Sequence, residues 1–482
     1  MRISWRIVSI FSRFAADAIG MVQTIIIAKL LPVGDYGLMK LVVSITAVVG
    51  VYQHLGLSSG STREIASAKD PREAYKVFIA SVLIRYMITL PVFLVLFFGA
   101  DYIGGRYYNR PVIVLPLQIL ALTMLIEPLK AVLNSVVQGR KKFGFLFSFQ
   151  VVIAVVSLLL VVGFIAKMGF MGYFYAQVAF VIIYTLIMAV YVYMLFKGHT
   201  AFPDKRELFK ITKAIFAIGL YAYLIKILFV QWQNLGNLVL GKNLSDEAIG
   251  VFAFGLMISM KLVAVTDAIN VVDLPTMTEL YEKSKNRFQQ KYLISSSKAF
   301  IMITFFATFG VVMRYIGFRF LDYIFSFVGK GSISEKFATS LELLPIFLLA
   351  AWLYGLINLL NAGLAVPTKK MRGILITYII LFVSTFGFYW MLPYEPLLRF
   401  AVAMVLATAV SYTFMLVSTK YTLGFFPITK IDLSYVFVSL VIVAGYYIGV
   451  SYIILMPIYI AATYVFYKKI KAMGQAENLI QE

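Results

Sequence analysis

Long apolar segments of this sequence contain four isolated basic residues, namely Arg13, Arg85, Lys226 and Lys298. A cation in hydrocarbon surroundings is costly, so such a residue normally faces a polar cavity or a partner. Arg presents a bidentate fork to a phosphate group, and Lys presents a point charge. We therefore predict that these four residues line a cleft that binds an anionic head group, such as a phosphate or pyrophosphate. The alternative is that their long side chains extend to the nearest aqueous boundary.

Carboxyl groups occur in the same kind of segment, at Asp17, Glu127 and Asp267. A buried carboxyl group can exchange a proton near neutral pH. These three residues are therefore candidates for coupling to H⁺ or Na⁺. A structural role is the alternative for two of them, because Asp17 lies four residues from Arg13, and Glu127 lies three residues from Lys130. At those spacings two charges share a helix face and neutralise each other.

The composition shows which kind of protein holds these charges. Of 482 residues, 61% are hydrophobic and 13% are charged, and the mean hydropathy is +0.90. Soluble domains average about 45–50% apolar and about 25% charged residues. The chain is therefore a polytopic membrane protein rather than a soluble or disordered one. The net charge of +21 does not indicate nucleic-acid binding, which requires a soluble basic face.

Several kinds of catalytic chemistry are excluded. The chain has no Cys and only two His, at positions 54 and 199, which rules out thiol catalysis and Cys-ligated metals. The sequence has no phosphate-binding loop, dinucleotide fingerprint or zinc-protease motif. We therefore expect no catalytic residues, no metal site and no cofactor, and we predict that the chain is not an enzyme.

Apolar runs of about 20 residues, the length of a membrane-spanning helix, predict an all-α fold with about 14 spans. The predicted spans are 7–31, 37–57, 76–99, 112–137, 146–166, 172–196, 214–240, 249–272, 292–316, 343–365, 373–391, 397–419, 434–450 and 453–467. Alternate loops contain 26 basic residues, against seven in the remaining loops. Because basic loops stay in the cytoplasm, both termini are predicted to be cytoplasmic, in a plasma (inner) membrane protein.

An internal repeat organises the predicted spans. When position 25 is aligned with position 238, IIIAKLLPVGDYG matches LVLGKNLSDEAIG. In the same alignment Arg13 meets Lys226, and Arg85 meets Lys298. The shift covers six spans, an even number, so the two halves have the same orientation and form parallel six-helix lobes.

The repeat predicts four divisions of the chain. Residues 1–197 form an N-lobe, 198–213 form a polar cytoplasmic linker, and 214–419 form a C-lobe. Residues 420–482 add two helices and a cytoplasmic tail. Transporters with two such lobes bind substrate between them and rock about the site.

Motifs within residues 1–145 resemble those of the polysaccharide-type flippases of the multidrug/oligosaccharidyl-lipid/polysaccharide exporter superfamily. That family's pattern of a small residue, a basic residue and two Leu, followed by Tyr-Gly, is similar to residues 28–31 and 36–37. Its Gly-Leu followed by Arg is similar to 56–57 and Arg63. The resemblance adds Arg63 to the predicted head-group residues.

The resemblance implies flipping of a polyprenyl-pyrophosphate-linked glycan across the bilayer by alternating access, and it allows for other polysaccharide-assembly proteins as partners. Nucleic acid is not an expected partner. Related lipid II flippases carry an Arg-Asp pair after a Gly on the first helix. Here Gly20 is followed by Gln23 and Thr24 in that stretch, which argues for a repeat unit other than lipid II.

Three alternatives stay open at this stage. A cation-coupled drug exporter of the same superfamily would prefer an acidic cavity, whereas this interior has more basic than acidic groups. A scaffold of a polysaccharide-assembly complex would pair its polar groups instead of exposing them in a cavity. A membrane glycosyltransferase would need a larger outer loop than the longest predicted one, which spans positions 317–342.

Overall fold

The computed structural model describes residues 5–53, 57–216, 220–329, 331–368 and 370–479. Within these ranges the protein is all-helical and contains no strand, which confirms the predicted fold class. The helices divide into two compact units. Unit 1 comprises Met1–Gly250 and Phe325–Gly331, and unit 2 comprises Val251–Ile324 and Ser332–Glu482.

Nine α-helices begin within the described part of unit 1, and short 3₁₀ or π segments follow some of them. The α-helices are α1 (Trp5–Leu30), α2 (Val33–Gly50), α3 (Leu57–Ser67), α4 (Pro71–Asp101), α5 (Val114–Gly139), α6 (Phe143–Phe196), α7 (Lys205–Phe216), α8 (Leu220–Asn243) and α9 (Asp246–Met260). The last of these continues into unit 2. The 3₁₀ segment Val51–Gln53 extends α2, and the π segment Tyr102–Tyr107 extends α4.

The described part of unit 2 contains the remaining helices. They are α10 (Val263–Lys283), α11 (Lys285–Ile324), α12 (Ile333–Lys336), α13 (Ala338–Leu360), α14 (Met371–Met391), α15 (Pro396–Leu423), α16 (Lys430–Tyr447) and α17 (Tyr452–Leu479). Its core includes the stacked rings of Tyr435 and Tyr459, through which α16 and α17 pack against α11.

Each predicted span overlaps helical residues, but the eighth, 249–272, crosses the turn at residues 261–262 between α9 and α10. Among the described residues, eleven helices are long and apolar enough to cross a membrane. One of them, α6, has 54 residues and bends at Gly169, whose φ of 55° lies in the left-handed region that glycine adopts most easily. This bend separates the predicted fifth and sixth spans. The total of 14 spans stays a prediction, because α1 and α8 are not among the eleven helices.

The boundary between the two units lies at Gly250, beyond the predicted linker 198–213. Helix α8, predicted to open the C-lobe, belongs to unit 1 by its contacts. Contacts group helices by their packing, whereas the repeat groups them by sequence similarity. The predicted division into lobes therefore stays a prediction.

The N-terminus of α4 illustrates how local sequence sets a helix that carries a candidate residue. Asp70 caps the helix by accepting a hydrogen bond from the backbone nitrogen of Glu73 at 2.8 Å, and Pro71 occupies the first turn. The apolar run that follows continues the helix to a length of 31 residues. Arg85 lies four turns beyond Pro71, roughly 21 Å along the helix axis at about 1.5 Å per residue.

Candidate functional site

Unit 1 contains an open cavity of about 360 Å³ lined by α2 with its 3₁₀ extension, α5, α6 and α8. Apolar side chains form much of its wall, in keeping with the membrane setting. The cavity also has a polar lining on several helices, comprising Thr46, Gln53, Thr123, Glu127, Gln177 and Lys226. An apolar pocket with a few convergent polar groups is the usual form of a small-molecule site.

Arg85 lies deep in unit 1, with only 2% of its surface exposed. Its Nη2 donates a hydrogen bond to Ser58 Oγ of α3 at 2.9 Å. The Arg85 Nε is buried and has no hydrogen-bond partner. Within the described part of the chain, no carboxylate forms an ion pair with Arg85. A buried guanidinium that one hydroxyl group satisfies only in part is a strong potential site for an anion.

Lys226, on α8, lies close enough to Arg85 for the two positive charges to repel each other. Its side chain is exposed and lines the cavity, whereas Arg85 lies behind the cavity wall. Among the residues that the structure describes, Lys226 forms no ion pair. The predicted cavity residues Arg85 and Lys226 are therefore brought together, and they give one end of the cavity a positive potential.

Polar groups at the end of α2 lie beside this positive region. Gln53 is 5% exposed and lines the cavity, and its buried Nε2 has no hydrogen-bond partner. The neighbouring Tyr52 connects to α8, because its hydroxyl accepts a hydrogen bond from Gln231 Nε2 at 3.3 Å. The Tyr223 hydroxyl donates to the Tyr52 carbonyl oxygen at 3.4 Å. Gln53 therefore offers a free N–H donor on a wall held in place by α8.

Glu127 lines the same cavity and forms an ion pair with Lys130, with Oε1 and Nζ 2.7 Å apart. The Lys130 ammonium group also lies 5.1 Å from the ring centre of Tyr184 and 5.7 Å from that of Phe180. These contacts hold Lys130 away from the cavity lining. The sequence suggested two roles for Glu127, and the structure contains the ion pair with Lys130 that one of them requires.

Three further predicted residues belong to unit 1. The side chain of Arg13 lies outside the described residues. Asp17, four residues away on α1, is exposed. Arg63, on α3, is also exposed and does not line the cavity. The structure therefore brings neither Asp17 nor Arg63 to the positive end of the cavity.

Two predicted residues belong to unit 2. Lys298, on α11, is half-buried. Asp267, on α10, is exposed, and its Oδ1 accepts a hydrogen bond from Asn358 Nδ2 at 2.7 Å. The same amide group donates to Thr266 Oγ1 at 3.0 Å. Asp267 is thus oriented by α13, and its role in coupling stays a prediction.

Sequence reasoning missed Gln53, in the 3₁₀ segment after α2, and Ser58, in the first turn of α3. Neutral polar residues are common at helix ends, so their types gave no signal of a site. It also missed Arg314 of α11, whose guanidinium carbon lies 4.6 Å from the ring centre of Tyr315 and 5.3 Å from that of Tyr446. Arg314 lies within a predicted span, and its position in an apolar run was the available signal.

Comparisons with known proteins identify the family. The sequence model of a family described as "Polysaccharide biosynthesis protein" matches residues 26–316, which is more than half of the chain. A search of curated proteins found no match. The family match agrees with the resemblance drawn from the N-terminal motifs.

Solved structures show the same fold at low sequence identity. A lipid II flippase, MurJ, in an inward closed conformation has a TM-score of 0.70 and 15% identity, covering 98% of this chain and 99% of its own. A multidrug resistance MATE family transporter of the MOP superfamily, in an inward-facing conformation, has a TM-score of 0.69 and 14% identity, covering 85% of this chain and 95% of its own.

A MOP superfamily transporter from Pyrococcus furiosus, described as having a binding pocket of reverse polarity, has a TM-score of 0.60 and 16% identity and covers 87% of this chain and 95% of its own. At these identities the likeness establishes the fold alone. The chain belongs to the polysaccharide biosynthesis protein family and is a multi-pass membrane protein with the fold of the MOP superfamily transporters.

Proposed function

We propose that this chain is a flippase that carries a polyprenyl-pyrophosphate-linked oligosaccharide from the cytoplasmic to the outer leaflet of the plasma membrane. The proposal depends chiefly on one observation: Arg85 is buried without a carboxylate partner among the described residues and lies near Lys226, which lines the cavity. A buried cation with a like charge near it is unfavourable unless an anion neutralises it. A pyrophosphate supplies two or more negative charges and several acceptor oxygens, and Gln53 Nε2 offers a further donor.

The family and the fold support this proposal in different ways. The family description refers to polysaccharide biosynthesis, and one structural neighbour is described as a lipid II flippase. In this chain Gln23 accepts a hydrogen bond from Ser157 Oγ at 3.2 Å, and Thr24 donates to the Gly20 carbonyl oxygen at 2.8 Å. Residues 23 and 24 are thus engaged within unit 1, which favours a glycan unit other than lipid II.

We infer an alternating-access cycle in which the cavity faces the cytoplasm, loads the lipid-linked glycan and then faces outward. The cycle uses the predicted lobes 1–197 and 214–419, the linker 198–213 and cytoplasmic termini. A membrane potential that is negative inside favours export of the anionic head group by about 2.3 kcal/mol per charge per 100 mV. Exchange of H⁺ or Na⁺ at Asp267 is a second source of energy.

The test uses the full-length protein in vesicles that contain a fluorescent polyprenyl-pyrophosphate oligosaccharide. Chemical quenching of the outer leaflet measures flipping. We expect Arg85→Ala combined with Lys226→Ala to lower the rate by about 100-fold or more, since each charge-assisted contact with the head group is worth about 1.5–3 kcal/mol. Lys167→Gln is the matched control, because Lys167 is exposed and does not line the cavity.

Full activity of the double variant would contradict the proposal. The same vesicles test the drug-exporter alternative when they are loaded with a cationic dye. We expect no dye movement, because a positive cavity repels cations. Dye export without glycan-lipid movement would favour the drug exporter, and a folded wild-type protein that moves neither probe would favour the scaffold.

A further inference from the structure

Helix α7, which overlaps the predicted linker 198–213, presents an exposed face to which the proposed function assigns no ligand. The helix begins with a reciprocal cap, in which Asp204 accepts from the Glu207 backbone nitrogen at 2.7 Å, and Glu207 accepts from that of Asp204 at 3.0 Å. Such a capping box defines a helix start. In the sequence from Lys205 to Phe216, KRELFKITKAIF, Ile211 and Ile215 lie on one side of the helix, and most of the basic residues lie on the other.

One face of α7 is packed against the protein. Ile215 is buried with Leu57 of α3 and Ile84 of α4, and Ile211 packs against the same cluster. A Cβ added at Gly60 would lie 2.6 Å from the Ile215 carbonyl oxygen, so α7 approaches α3 at backbone distance. This face therefore holds α7 in a fixed orientation.

An ion pair holds α7 at a fixed position along the length of the neighbouring helices. Glu207 Oε1 lies 2.6 Å from Lys76 Nζ, near the start of α4. Only three residues of sequence separate the end of α7 from the start of α8. Helix α7 thus lies beside the N-terminal ends of α4 and α8, which the charge pattern of the loops assigns to the cytoplasmic side.

The opposite face of α7 carries an exposed aromatic ring surrounded by positive charge. Phe209 is 72% exposed, although large apolar side chains such as Phe are among those most often buried. Lys205, Arg206 and Lys213 lie four, three and four residues from Phe209 and therefore share its side of the helix. These three residues and Lys210 are exposed. Within α7 the single acidic residue, Glu207, is already paired with Lys76.

We infer that this face of α7, formed by Lys205, Arg206, Phe209, Lys210 and Lys213, binds the anionic phospholipid head groups of the cytoplasmic leaflet. The four basic side chains contact lipid phosphates, and Phe209 enters the boundary between head groups and acyl chains. Basic amphipathic helices with an aromatic residue bind anionic membranes in this manner. Two observations point to a lipid surface as the partner. The basic face of α7 is complementary to anionic head groups, and α7 lies beside the N-terminal ends of α4 and α8.

The experiment places the full-length protein in nanodiscs of phosphatidylcholine, with or without the anionic lipid phosphatidylglycerol at about one lipid in three. Amide hydrogen exchange of residues 205–216 is the measurement, and it is independent of any transport activity. We expect phosphatidylglycerol to slow exchange across α7 by about tenfold, and high salt to remove most of that protection because it screens the charges.

Two pairs of substitutions distinguish lipid binding by this face of α7 from a general attraction between the basic protein and an anionic bilayer. Lys210→Gln with Lys213→Gln is expected to remove most of the tenfold protection, because each Lys near an anionic surface contributes about 1 kcal/mol of binding. Lys141→Gln with Lys142→Gln is the matched control, because these residues are also exposed and predicted to be cytoplasmic but lie outside α7. We expect the control pair to leave the exchange of α7 unchanged.

Equal exchange of wild-type α7 with and without phosphatidylglycerol would overturn the inference. Protection that persists in high salt would also overturn it, since it would show apolar insertion without head-group binding. An equal effect from the control pair would assign the attraction to the net charge of the protein rather than to α7. The salt dependence of α7 protection is measured on the wild-type protein, so it tests the inference even if a variant fails to fold.

Discussion

Gly37 and Gly250 meet face to face in unit 1, at the N-terminal ends of α2 and α9. A Cβ added at Gly37 would lie 2.7 Å from the Gly250 backbone nitrogen, and one added at Gly250 would clash with the Val33 carbonyl oxygen. The predicted repeat aligns these same two glycines with each other. The structure therefore places the two aligned glycines in direct backbone contact.

We predict that Gly37→Ala lowers stability and transport together. The added methyl group overpacks the contact, which typically costs about 1–3 kcal/mol. The melting temperature of the purified protein and the flipping rate are the measurements. Gly163→Ala is the control, because no atom lies within 4 Å of its added Cβ. An unchanged melting temperature for Gly37→Ala would show that α2 and α9 separate at little cost.

We predict opposite effects of Arg85→Met on stability and function. Met removes a buried charge that lacks a carboxylate partner among the described residues, and comparable replacements stabilise proteins by about 1–4 kcal/mol. Flipping is expected to fall to background. Melting temperature and flipping rate, measured on one preparation, test the two effects. If Arg85 were a structural residue that anchors Ser58, the substitution would instead lower the melting temperature.

Arg110 forms hydrogen bonds with the C-terminal end of α8, on the predicted outer side. Its Nε lies 2.5 Å from Asp246 Oδ1, and its guanidinium group donates to the carbonyl oxygens of Gly241 and Leu244, the latter at 2.6 Å. We predict that Arg110→Lys loses most of these bonds, because Lys lacks the planar fork. The outer end of α8 should then separate from α2 more often.

A single cysteine detects this separation cleanly, since the chain has no other. Leu41→Cys provides the reporter, because Leu41 is fully buried and lies where a Cβ on Gly241 would touch it. We expect Arg110→Lys to raise the rate of thiol labelling several-fold. Arg106→Lys, at an exposed position in the same segment, serves as the control and should leave the rate unchanged.

The docking of α7 should depend on pH through Glu207. The hydrogen bond from Lys76 holds the pKa of the Glu207 carboxyl group below its ordinary value of 4.5. A lowered pKa means that the ion pair contributes stability above the unfolded-state value and loses it as pH falls through the folded-state value. We therefore expect α7 to stay docked from neutral pH down to below about 4.5 and to loosen at lower pH.

Spin-label mobility at Lys210→Cys, measured in neutral detergent, follows this docking. Glu207→Gln should give a more mobile label that no longer responds to pH in the acidic range. A label in wild-type α7 that loosens between about pH 7 and 5 would contradict the assignment to Glu207, because the lowered pKa places the transition below that range.

The sequence alone determined the membrane class, the positions of the helices and the family. Spanning helices satisfy their own backbone hydrogen bonds, so hydropathy over about 20 residues identifies them without tertiary information. The distribution of basic residues among the loops likewise predicted the orientation, because it can be counted without tertiary information. The break in the eighth predicted span, between α9 and α10, was not predicted, because helix breaks in apolar runs depend on packing.

Tertiary structure decided which of the predicted charged residues are buried and which lie near one another. Arg85 and Lys226 are far apart in the sequence, and their repulsion depends on how α4 and α8 pack. Glu127 was paired by helical spacing, so the sequence anticipated that contact. Arg63 looked equivalent in type to Arg85, yet the first is exposed and the second buried. Residue type determines what chemistry a side chain offers, whereas packing determines whether water or a neighbouring charge surrounds it.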